Sequence, residues 1–129
     1  MADVELTLPA APENVAVARH VMAGVGEALG FSPEEVADLR LAVSEACTNV
    51  VMHAYADGEP GTVEISATVE DALLHVVVRD HGSGVVARPD SPGLGLGLPL
   101  ISAVTERLEI GGDGGGEVRM AFIVPSDPR

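Results

Sequence analysis

The chain has 129 residues, 47% of them hydrophobic but only 2% aromatic, and a net charge of −13. That length suits one domain, residues 1–129, with one core built from Val, Leu, Ile, Ala and Met. All seven basic residues are arginines with no cluster among them, which argues against a surface that displaces counterions from nucleic-acid phosphates or lies on anionic lipid.

The opening MADVELTLPA has neither the basic region nor the long apolar run of a signal peptide, and no later run is long enough to span a bilayer. The expectation is a soluble, cytoplasmic protein. VELTLP (4–9) alternates apolar and polar positions and predicts a half-buried strand. Pro12 opens a helical run to about Leu29, with Gly30 placed to end it. SPEE then reads as a capping box, with Ser32 as N-cap, Pro33 in the first turn and Glu35 at N3. The helix it starts is expected to run from 33 to about 54, with Val36, Leu39, Val43, Cys47 and Val50 on its core face. ADGEPG (56–61) is a loop. TVEISATV (62–69) and LLHVVVRD (73–80) read as strands joined by a short acidic turn, which predicts a hairpin. HGSGVVARPDSPG (81–93) is a loop long enough to suspect function. A helix follows at about 96–107, then a glycine-rich turn at 111–116 and a last strand, EVRMAFIV (117–124).

The order β-α-α-β-β-loop-α-β-β is not a regular βαβ alternation. It predicts an α+β fold: a two-layer α/β sandwich with a mixed, mostly antiparallel sheet and three helices on one face.

Three segments carry chemistry. In LAVSEACTNVVMHAY (41–55), Glu45, Asn49 and His53 recur at i, i+4 and i+8, a polar stripe on an otherwise apolar rod. A solvent-facing stripe is one explanation; a stripe facing a ligand cleft is the other, and it also accounts for the apolar flanks. Asn49 offers a neutral oxygen for a hard cation such as Mg²⁺, and Glu45 one turn earlier offers a base for a nucleophile. His53 lies near the helix end, where interaction with the dipole is the simpler role. In RDHGSG (79–84), Asp80 ends an apolar strand. It can accept a hydrogen bond from a buried amine or simply cap its own turn. GLGLG (93–97) offers backbone N–H groups at a helix start, suited to an anion, or else is a flexible loop. Without lysine it is not a phosphate-binding GxxxxGK[ST] loop, and a Pro-containing loop rather than a strand precedes it, unlike a dinucleotide fingerprint. Cys47 is the only cysteine and reads as a small buried hydrophobe rather than a reactive thiol. His20, His75 and His81 show no zinc-ligand spacing, and Ser83 lacks the setting of a nucleophile elbow.

Taken in order, SEACTNVVMHAY, VVVRDHGSG, GLGLGLPLI, a GG-rich turn and EVRMAF resemble the Bergerat-fold (GHKL-type) ATPases over nearly the whole chain. Within them the chain looks most like the small anti-sigma-factor serine kinases of bacterial partner switching. The resemblance implies ATP and Mg²⁺ as ligands. Asn49 would hold Mg²⁺ against the triphosphate, and Glu45 would be the general base. Asp80 would accept the adenine amino group, Gly82 and Gly84 would let the backbone fold round the base, and Gly93, Gly95 and Gly97 would wrap the phosphates. It also implies a STAS-domain anti-sigma antagonist as substrate and a sigma factor as a further partner. Proteins of this kind are often dimers, though the sequence shows no dimer face.

With no lysine, only Mg²⁺, backbone N–H groups and arginine remain to neutralise the triphosphate, and Arg88 is the cation in the loop over the site. Two features depart from the family pattern. Gly116 stands where a threonine hydroxyl often helps bind adenine, and loop 85–92 is a short lid. The competing readings are an ATP-binding module that sequesters a partner without transferring phosphate, and a bare α/β domain with no nucleotide.

Overall fold

A computed structural model of the chain describes residues 4–55, 59–82, 94–111 and 115–125, with backbone alone at 94–98. Strand β1 (Val4–Pro9) leads into helix α1 (Pro12–Ala28) and helix α2 (Pro33–Asn49), which continues as a π-helical turn over Val50–Ala54. The hairpin β2 (Thr62–Glu70) and β3 (Leu73–Asp80), helix α3 (Leu94–Val104) and strands β4 (Arg107–Gly111) and β5 (Glu117–Ile123) complete the described elements.

Local chemistry explains most of the boundaries. Gly30 takes φ of +85°, which allows Gly30 N–H to reach Glu27 O and Phe31 N–H to reach Gly26 O, closing α1. The Ser32 hydroxyl accepts from Glu35 N–H at 3.1 Å while the Glu35 carboxylate accepts from Ser32 N–H at 2.8 Å, so both halves of the expected capping box form. Between β2 and β3, Asp71 and Ala72 both have positive φ, 54° and 63°. This is the pair of left-handed residues that a two-residue hairpin turn needs to match strand twist.

The sheet order is β1-β2-β3-β5-β4, and all four pairings are antiparallel. Register brings one set of side chains onto a common face: Leu6 opposite Ile65, Ile65 opposite Val78, and Val78 opposite Val118. These join Met22, Leu39, Val43, Val50 and Ile101 from the helices in one buried cluster, so the helices cover this face of the sheet. The alternate positions, among them Glu64, Arg79, Glu117 and Arg119, form the polar outer face. Arg79 donates to Glu117 at 2.7 Å, and Arg119 pairs with the same carboxylate.

One expected element is corrected. The helix foreseen at 96–107 ends at Val104, and 107–111 is strand β4. The Thr105 hydroxyl donates back to Ile101 O at 2.9 Å, and Glu106 N–H already bonds to Ala121 O in the sheet. Beyond that point Leu108 and Ile110 alternate with Arg107 and Glu109, a period of two that suits a strand. The helix foreseen at 33–54 exists, but its last five residues are π rather than α.

Candidate active site at the end of the central strand

Strand β3 lies in the middle of the sheet, and Asp80 is its last residue. Its side chain belongs to the core face, where it is 2% exposed. A buried carboxylate is costly unless hydrogen-bonded. Here Oδ1 accepts from Gly82 N–H at 3.0 Å and from Gly116 N–H at 3.2 Å, while Asp80 N–H donates to Gly116 O at 2.9 Å. The first bond is the ordinary turn that the sequence allowed. The bonds to Gly116 add a clamp from β5's leading edge, across 36 residues. A carboxylate offers about four acceptor sites, and the two backbone donors take two of them.

The turn after Asp80 packs on the end of the long helix. A Cβ at Gly82 would lie 2.0 Å from Ala54 O and 2.9 Å from Tyr55 Cδ1, and a Cβ at Gly115 would lie 2.2 Å from Asp80 O. Both positions therefore need glycine for close backbone approach. Gly82 was expected to give the chain room to turn round a ligand; in the structure it also seats the strand end against the helix end.

That helix end carries the polar stripe. Asn49, the last α-helical residue, is 3% exposed, and its Nδ2 is buried without a hydrogen-bond partner. Glu45 is half-buried one turn earlier, and His53 is half-buried within the π turn. Since a π turn advances less per residue than an α turn, His53 does not continue the stripe in strict line. π turns often mark functional sites. Cys47, on the opposite, core-facing side, is 1% exposed, and burial pushes its thiol up to about 12. It is inert packing, as expected.

Gly95 and Gly97 lie in the first turns of α3, at its N-terminus, where backbone N–H groups face outward along the axis. Pro99 within that helix withholds the bond its nitrogen would have given to the Gly95 carbonyl. Gly84, Gly93, Ser83, Arg88 and loop 85–92 lie outside the described residues. The structure thus brings together Asp80, Gly82 and the end of the π turn that follows Asn49. No group of three or more His, Cys, Asp or Glu able to hold a metal occurs among the described residues. Sequence reasoning did not single out Tyr55, Gly61 or Gly115, and gave Gly116 weight only for the hydroxyl it lacks. The glycines on either side of Asp80 in space were the available signal.

The family model of the histidine kinase-like ATPase domain matches residues 8–122. The chain belongs to that family. This histidine kinase-like ATPase domain is also similar to serine-protein kinases. It is 34% identical to the serine-protein kinase RsbW of Bacillus pumilus (strain SAFR-032), over 91% of this chain and 83% of the relative. It is 38% identical to RsbW of Bacillus subtilis (strain 168), over 86% and 68%, and 34% identical to RsbW of Oceanobacillus iheyensis, over 96% and 88%. Within the ATPase family the chain therefore sits among the serine-protein kinases.

Proposed function

We propose that this chain is a Mg-ATP-dependent protein serine kinase and anti-sigma factor of a bacterial partner-switching system. Its substrate is a serine of a STAS-domain anti-sigma antagonist, its further partner is a sigma factor, and it works in the cytoplasm. The observation that carries the reading is the buried Asp80 carboxylate, held by two backbone N–H groups in a turn that packs on the end of the π turn following Asn49. Similarity to named serine-protein kinases over most of both chains supports it.

In this reading Asp80 accepts the adenine amino group on its remaining acceptor capacity, and Gly82 and Gly84 let the turn close on the base. Gly93, Gly95 and Gly97 present N–H groups to the phosphates at the start of α3. The buried Asn49 amide, whose Nδ2 has no hydrogen-bond partner, fits a metal site, because its oxygen and nitrogen can exchange places by rotation and one amide oxygen suits an ion that takes its other ligands from phosphates and water. Mg²⁺ bound there would offset charge on the triphosphate. Glu45, one turn away, takes the proton of the serine hydroxyl as its oxygen bonds to the γ-phosphorus; the bond from that phosphorus to the bridging oxygen breaks, and ADP leaves.

The test is transfer of labelled γ-phosphate from ATP to a STAS-domain antagonist. Wild type should label a serine, and Glu45→Ala should stop labelling while ATP still raises its melting temperature. Wild-type binding of ATP and antagonist without transfer would instead identify a non-catalytic switch.

A further inference from the structure

Tyr55 follows the π turn, and its phenol oxygen is fully engaged by backbone. It donates to Thr62 O at 2.6 Å and accepts from Thr62 N–H at 3.2 Å and His81 N–H at 3.0 Å. One donor and two acceptor positions are all a phenol has. The ring is held between two glycines: a Cβ at Gly61 would lie 2.4 Å from ring carbons, and one at Gly82 would lie 2.9 Å from Cδ1. A single side chain thereby ties the helix end to the start of β2 and to the turn after β3.

The location of these bonds suggests more than general stability. Val63, next to Thr62, is the cross-strand partner of Asp80. His81, whose N–H is held by Tyr55, lies between Asp80 and the Gly82 N–H that rests on the Asp80 carboxylate. Tyr55 therefore fixes the peptide within the turn that aims Oδ1. We infer that Tyr55 is a positioning residue for base recognition, setting the angle at which Asp80 meets an amino group; this rests on the nucleotide reading above. Without the Tyr55 hydroxyl, Asp80 keeps both backbone donors, Gly82 N–H and Gly116 N–H, but the first of them sits on an unanchored turn.

The test compares ATP with inosine triphosphate, whose base carries an oxygen in place of the amino group. Both are titrated calorimetrically into wild type, Tyr55→Phe and Gly61→Ala. The Phe variant removes only the hydroxyl, and the Ala variant keeps the hydroxyl but displaces the ring. Wild type should prefer ATP. Tyr55→Phe should weaken ATP about tenfold, the scale of one lost hydrogen bond, and inosine triphosphate less, so that the ratio of the two affinities falls; Gly61→Ala should lower the ratio too. Melting without nucleotide shows whether each variant is folded, and if one is not, the other decides. A folded variant that melts earlier but keeps the wild-type ratio would overturn the role of Tyr55 and leave the nucleotide site standing. Wild type that binds neither nucleotide would overturn the site itself.

Discussion

Gly82→Ala is the sharpest perturbation of the packing that builds the site. The added Cβ would lie 2.0 Å from Ala54 O and 2.8 Å from Ala54 C, both backbone atoms. A carbon next to a carbonyl oxygen normally stays beyond about 3.3 Å, so the helix end or the strand end must move by more than about 1 Å. Overpacking costs about 1–3 kcal/mol where side chains can yield. Here the obstruction is backbone, and the movement also strains the Asp80–Gly82 bond, so the upper end, about 3 kcal/mol, is expected. For a chain of this size that lowers the melting midpoint by about 10 °C. Gly24→Ala is the control: Gly24 is exposed within α1, and a Cβ there meets nothing within 4 Å. Better helix propensity should stabilise that variant by roughly 0.5–1 kcal/mol. Thermal and urea unfolding without nucleotide measure both. A Gly82→Ala protein within about 0.5 kcal/mol of wild type would refute the contact between strand end and helix end.

Other outcomes follow from the same structure. Ala72→Gly should stabilise the chain by about 0.5–1 kcal/mol in urea melts, because Ala72 pays for a left-handed conformation that glycine adopts freely. Burial raises the Cys47 thiol to about 12 in the folded state from an ordinary value near 9.0. Its contribution is thus complete below about pH 9 and declines as pH rises toward 12; the stability of wild type should fall more steeply over that window than that of Cys47→Ala, and a thiol reagent should react at pH 8 only after unfolding. Hydrogen bonds from Arg119, then Arg79, hold the Glu117 carboxyl below the usual range. That stabilisation is present above the unfolded carboxylate value of about 4.3 and is lost as pH falls through the lower folded value. Glu117→Gln should flatten the acid limb of a stability-versus-pH curve; because the Arg79–Glu117 pair is only partly buried and its arginine is open to solvent, a change spanning the whole unfolding energy would contradict this assignment.

Local rules made much of the architecture legible. The capping box at Ser32 and Glu35, the glycine that ends α1 and the alternation in LLHVVVRD depend on neighbours within a few residues, and all appear as expected. The insertion of β5 between β3 and β4 was not legible, since register over tens of residues leaves no local pattern. Nor was the change from α to π at Val50, where apolar residues fit either helix. β4 was obscured because Glu106 and Arg107 look as suitable for a helix end as for a strand start. In the site, Asp80 and Asn49 stood out as polar residues in apolar surroundings. Tyr55 did not, because its partners are backbone groups of Thr62 and His81, which any residue type supplies.

The most direct test of the central claim is thermal unfolding of wild type and Asp80→Asn with ATP, with and without Mg²⁺. A ligand that binds only the folded state at 100 times its dissociation constant adds about 2.7 kcal/mol, which should raise the midpoint by several degrees. The account predicts a rise with ATP that Mg²⁺ enlarges and that Asp80→Asn abolishes. No rise at millimolar Mg-ATP, or an equal rise in the variant, would contradict an ATP site built on Asp80.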